Sequence, residues 1–85
     1  MEGIIVKVEW QLTGTYAAEQ LGLDLGNFGN AVQTWVDSNP KDINPHGDTA
    51  NVMFENAAYT VTYMVQKSIP VQNSLFYIID VTPKL

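Results

Sequence analysis

The sequence predicts a small α+β domain in the order strand, two helices and a three-stranded antiparallel meander, with the helices packed on one face of the sheet. Three patterns predict it. Apolar and polar residues alternate from Ile4 to Leu12, as in a half-buried strand. Phe28, Ala31, Val32, Trp35 and Val36 fall at the spacing of one helical face. The C-terminal third holds two runs of β-branched and aromatic residues, 58–65 and 75–82, which read as a hairpin.

Along the first run, Ile4, Val6, Val8, Trp10 and Leu12 share a face, opposite Ile5, Lys7, Glu9 and Gln11. Thr13-Gly14-Thr15 breaks the alternation. Thr15 is expected to cap a short helix over 16–21, since its hydroxyl can accept from an orphan amide one turn later. Gly22 closes that helix and Asp24 caps the next. Gly26 and Gly29 each weaken the second helix by about 1 kcal/mol relative to alanine, so packing by Phe28 and Trp35 must hold it. It is expected to end by Asn39, because Pro40 disfavours helical geometry in the residue before it.

The stretch 40–48, with two prolines and a glycine, is loop chemistry rather than a domain linker. A short strand is expected over 51–55, with Asn56 turning the chain into the hairpin. There Tyr59, Val61, Tyr63 and Val65 share one face, and Ala58, Thr60, Thr62 and Met64 the other. The last strand is apolar on both faces from Leu75 to Ile79, which places it inside the sheet. The connection 66–74 is long for a hairpin and is expected to form a mobile protrusion.

With 85 residues there is enough chain for one core, so residues 1–85 are expected to form a single domain. Apolar residues make up 46 % of the chain and charged residues 15 %, which is enough apolar surface to order it. The absence of cysteine excludes disulfides and thiolate metal sites. No apolar run approaches the roughly 20 residues that span a bilayer, so a cytoplasmic protein without membrane attachment is expected. Four lysines, no arginine and nine carboxylates give a formal net charge of -5. Such a chain repels polyanions, so direct nucleic-acid binding is not expected.

Few constellations carry chemistry. His46, in Asn44-Pro45-His46-Gly47-Asp48, has the form of a general base with Asp48 to orient it, although loop polarity explains it equally well. The carboxylates have no metal-loop spacing, and neither a metal nor a cofactor is expected. Asp80 interrupts an apolar strand and faces either a cleft or the open side of the sheet. Residues 17–28 resemble a helix-turn-helix, but the would-be reading helix offers Asp24, Asn27, Asn30 and Gln33 with no cation to meet a phosphate. Tyr59 and Tyr63, with Tyr77 and Trp10 as neighbours, form either cross-strand packing or a recognition surface, depending on which face the helices cover.

With this layout, Tyr59-Thr60-Val61-Thr62-Tyr63-Met64-Val65 is similar to the Tyr-Arg-x-x-Tyr-x-Val of the RelE/ParE superfamily of bacterial type II toxins. Tyr77-Ile78-Ile79-Asp80-Val81 is similar to that family's final core strand. The resemblance covers nearly the whole chain through loose motifs. It implies a RelE/ParE-like fold and a toxin whose ribosome-dependent relatives cleave mRNA with arginines beside the scissile phosphate. Here Thr60 stands at the first arginine position, and Lys84 after Pro83 is the candidate for the second. The resemblance therefore implies a protein that acts by binding rather than by cleavage. Lys84 and His46 are its candidate catalytic residues, and Tyr59, Thr60, Tyr63, Lys67, Tyr77 and Asp80 its candidate binding residues. The implied partner is a protein, either an antitoxin or a cellular target, and a homodimer is a further expectation. The alternatives are an acidic module or inhibitor that mimics nucleic acid, and an unrelated α+β interaction domain.

Overall fold

The computed structural model describes residues 7–66 and 74–84. Strand β1 (Lys7–Trp10) leads into helices α1 (Leu12–Gln20) and α2 (Leu25–Ser38) and a single 3-10 turn (Pro40–Asp42). Strands β2 (Asp48–Phe54), β3 (Ala57–Gln66) and β4 (Leu75–Pro83) follow. The four strands form one sheet in the order β1-β4-β3-β2.

The sheet is mixed rather than purely antiparallel. β3 is antiparallel to both β2 and β4, whereas β1 runs parallel to β4 with Val8 beside Phe76 and Trp10 beside Ile78. Parallel neighbours need a long crossover, and both helices and two strands separate β1 from β4 in the chain. β4 is interior, consistent with an apolar pattern on both of its faces.

The first strand ends earlier than the alternation suggests. Leu12 opens α1 and is 86 % exposed, so it leaves the face shared by Val8 and Trp10. Thr15 lies inside the helix rather than at its cap, and Gln11 is the N-cap without a side-chain bond. A close approach to the sheet sets this start. Gln11 N donates to Ile78 O at 3.1 Å, and the Thr13 hydroxyl donates to Ile79 O at 2.7 Å. A Cβ at Gly14 would collide with the Ile78 carbonyl, so only glycine lets α1 lie against β4.

Gly22, at φ 71°, ends α1 with Gly22 N bonded to Glu19 O and Leu23 N to Ala18 O, a Schellman arrangement. The Asp24 carboxylate accepts from Asn27 N at 2.9 Å and caps α2, and Asn39 is the C-cap. Phe28, Val32 and Val36 are buried on the inner side of α2, packed with Ala50, Val52, Val61, Tyr63, Phe76, Ile78 and Val81 of the sheet. Trp10 and Phe28 meet at 6.2 Å between ring centroids, and the indole lies over Gly29, whose missing Cβ leaves it room. No helix among the described residues is long and apolar enough to cross a membrane.

Candidate functional site

The hairpin expected to carry function is centred on β3, which enters from β2 through a two-residue turn. Glu55 (φ 51°) and Asn56 (φ 67°) both lie in the left-handed region, the geometry of a type I′ turn, and Phe54 pairs with Ala57 across it. Asparagine adopts this conformation readily and glutamate less so. The turn fixes register, and register then decides which side chains of β3 meet the helices.

Tyr59, Val61, Tyr63 and Val65 belong to the covered face. Tyr63 is 1 % exposed, and its ring stacks on Phe76 at 4.3 Å with planes 21° apart. Its hydroxyl accepts from Asn44 N at 2.9 Å and points toward Asp42 O at 3.5 Å, tying the loop after the 3-10 turn to the core. Tyr59 meets Phe28 edge-on at 5.3 Å and 88°. The recognition role expected for this pair is therefore corrected for Tyr63. Its ring is packing and its polar end holds a loop, so it offers a partner no surface. Tyr59 is half-buried in the same aromatic cluster. Tyr77 does not join them, because its register partner Met64 lies on the opposite face.

A bulge between β3 and β4 positions Asp80. Thr62 pairs with Asp80 and Tyr63 with Ile78, so Ile79 is an extra residue on β4. The extra residue reverses the alternation, which buries both Ile78 and Val81 and leaves Asp80 exposed beside Thr62. The Asp80 carboxylate accepts from Val81 N at 2.9 Å, and the Ile79 carbonyl freed by the bulge accepts from Thr13. Asp80 thus faces the open side of the sheet rather than a cleft.

That open side carries Thr60, Thr62 and Met64 of β3, Tyr77 and Asp80 of β4, and Met53 of β2. Met53 is 66 % exposed and Met64 48 % exposed, but Met53 pairs with Ala58, so the two methionines mark opposite ends of this face, roughly 20 Å apart. Lys7 and Glu9 form an exposed ion pair of 3.9 Å on β1, which contributes little in water. The open face therefore carries threonine hydroxyls at its centre, a methionine toward each end, and charge at Asp80 and along β1.

The two candidate catalytic residues are far apart. Lys84 N donates to Ala58 O at 2.9 Å, which puts Lys84 at the end of the sheet nearest Thr60. His46 lies in a turn held by Asn44 Oδ1, which accepts from His46 N at 2.9 Å, and the adjoining Gly47 sits against the backbone of Tyr63 and Met64. Five or six residues of strand separate the two places, roughly 17–20 Å. One scissile bond cannot touch both. Among the described residues no hydrogen bond or ion pair joins His46 to Asp48, and no group of three acidic or imidazole side chains could hold a metal. Lys67 and the connection 67–73 lie outside the described residues.

One position acquires a role that spacing did not reveal. Gln33, which a helix-turn-helix would aim at a base, instead accepts from Val8 N through Oε1 at 3.0 Å and donates to Asp37 at 3.1 Å. The signal available in sequence was only the i, i+4 spacing of Gln33 and Asp37 on the polar flank of α2.

These features define an α+β domain with one sheet face buried by α2 and the other, among the described residues, not covered by a helix. Comparison with protein-family models, with curated proteins and with solved structures finds no match in any of the three.

Proposed function

We propose that this chain is a toxin-type protein of the RelE/ParE kind, cytoplasmic, acting by binding another protein through the open sheet face rather than by cleaving RNA. The observation that carries the reading is the sorting of the hairpin. The tyrosines of the family-like motif are turned into the core, while Thr60, at the position of the family's arginine, lies on the other face between Asn51 and Thr82, with Met53 and Met64 toward opposite ends of that face. A hydroxyl there cannot offset charge developing on a phosphate, but a threonine and methionine surface can pack against a protein. The element order of a strand, two helices and three closing strands supports the same family reading, including the antiparallel succession of β2, β3 and β4.

Inducing the chain in a bacterial host, alone and with the reading frame that neighbours its gene, tests this proposal. Growth arrest relieved by the neighbour and lost in the double variant Met53→Ser, Met64→Ser is the expected outcome. Growth unaffected by induction would sink it.

The net charge of -5 with no arginine favours one second reading, an acidic module that binds a basic protein. Under that reading the captured partner dissociates as ionic strength rises, whereas an uncharged contact running across the open face from Met53 to Met64 holds in salt.

A further inference from the structure

The two edges of the sheet are finished differently. On β1 the outward Val8 amide is capped by the Gln33 side chain, and Lys7 and Glu9 add charge. β2 has no side chain capping an outward amide, and its charge is confined to Asp48 at its start. Its seven residues, Asp48 to Phe54, include no lysine and no proline, and its pairing with β3 shows no bulge.

Hairpin geometry specifies which of its backbone groups are free. The two-residue turn is closed by Phe54 and Ala57 as a hydrogen-bonded pair, and such pairs alternate along an antiparallel ladder. Val52 and Ala50 therefore bond inward to β3, while Met53, Asn51 and Thr49 direct N–H and C=O away from the sheet. None of these three has a hydrogen-bond partner on that side among the described residues, and all three are exposed.

We infer that β2 is a self-association edge that pairs antiparallel with β2 of a second copy about a two-fold axis through Asn51. The occupant is argued from the strand's own symmetry. Centred on Asn51, each outward N–H meets an outward C=O, because Asn51 faces Asn51 and Thr49 faces Met53 of the other copy. On the covered face Ala50 meets Val52, a small residue against a larger one. Facing asparagine amides are mutual donors and acceptors. Asp48, the strand's one charged residue, falls opposite Phe54, so the carboxylates of the two copies sit at opposite ends of the pair. The resulting isologous contact closes on itself and joins two sheets into one. It rests on the backbone edge of β2 rather than on a partner of the open face, although the two share Met53.

Sedimentation velocity of the full chain across a concentration series tests it, with Asn51→Lys and Asn51→Asp as variants. The wild type is expected to move from one copy toward two as concentration rises. Like charges placed opposite each other raise the dissociation constant about tenfold or more in each variant, and an equimolar mixture restores association. The lysine variant lowers the magnitude of the net charge, so weaker association there cannot come from overall repulsion. If either variant loses its native circular dichroism, the exchange of T49K with M53K against T49E with M53E gives the same readout at the flanking pair. A wild type that remains single at high concentration, variants that associate like the wild type, or a mixture that fails to recover would each overturn the inference.

Discussion

The two faces of this sheet use the same strands for opposite purposes. On the covered face Tyr63, Val61, Phe76 and Ile78 are almost completely removed from water; Phe28 contacts Trp10, Phe54 and Tyr59 at 5.2–6.2 Å between centroids, and Phe76 meets Trp35 and Tyr63. On the open face the neighbouring residues, one step along the same strands, are Thr60, Thr62 and the exposed Met64 of β3 and Tyr77 of β4. Because side chains alternate with period two, the choice of face decides at once which half of the hairpin is stability and which half is free for contact. The tyrosines that most suggest a binding motif lie in the stability half.

The largest expected effect comes from emptying the covered face. Phe28→Ala removes the ring at the centre of the aromatic cluster and should destabilise the fold by about 3–5 kcal/mol, read as a lower midpoint in urea unfolding. A loss below about 1 kcal/mol would mean that the cluster is not the core. Gly14→Ala comes next, because its methyl meets a backbone carbonyl that cannot rotate away. Forcing α1 off β4 should cost about 1–3 kcal/mol in the same assay.

Tyr63→Phe separates the two duties of that residue. The stacked ring is retained, but Asn44 N loses its acceptor, so a loss of about 1 kcal/mol is expected. Faster exchange of the Asn44 amide should accompany it. If partner binding weakens while stability holds, Tyr63 reaches the surface in some way that its packing does not show.

Much of this division was legible in the sequence, and the failures have specific causes. The alternation of 58–65 assigned every side chain of β3 to one of two faces, and the spacing of Phe28, Val32 and Val36 marked the inner side of α2. Which face of β3 the helix covers was not legible, because tyrosine and valine on one side and alanine, threonine and methionine on the other can each form a core. The position of Asp80 depended on a bulge at Ile79, inside a run apolar on both faces where a change of phase leaves no mark. Leu12 continued the strand pattern by hydrophobicity, yet α1 begins there because Gln11 N and the Thr13 hydroxyl find carbonyls on β4, more than sixty residues later. Contacts of that range set the parallel pairing of β1 as well, and no local propensity encodes them.

The smallest expected effect on stability is the most informative about function. Thr60→Arg puts the family-like cation back on the open face, where Thr60 is half-buried between Asn51 and Thr82 and lies opposite the helix-covered side, so stability should change by no more than about 0.5 kcal/mol. If the open face is a contact surface, the variant should still fail to cleave ribosome-bound mRNA. A single guanidinium would have Lys84 near it, but His46 would remain at the far end of the strand, and the Asp80 carboxylate beside Thr62 is engaged by Val81 N rather than aimed at a phosphate between Thr60 and Lys84. The bulkier side chain beside Met53 should instead weaken partner capture. Cleavage by the variant, lost again when Lys84→Ala is added, would mean that the open face is an active site missing one residue, and the distinction between a structural face and a binding face would have to be redrawn as one between a core and a silenced catalyst.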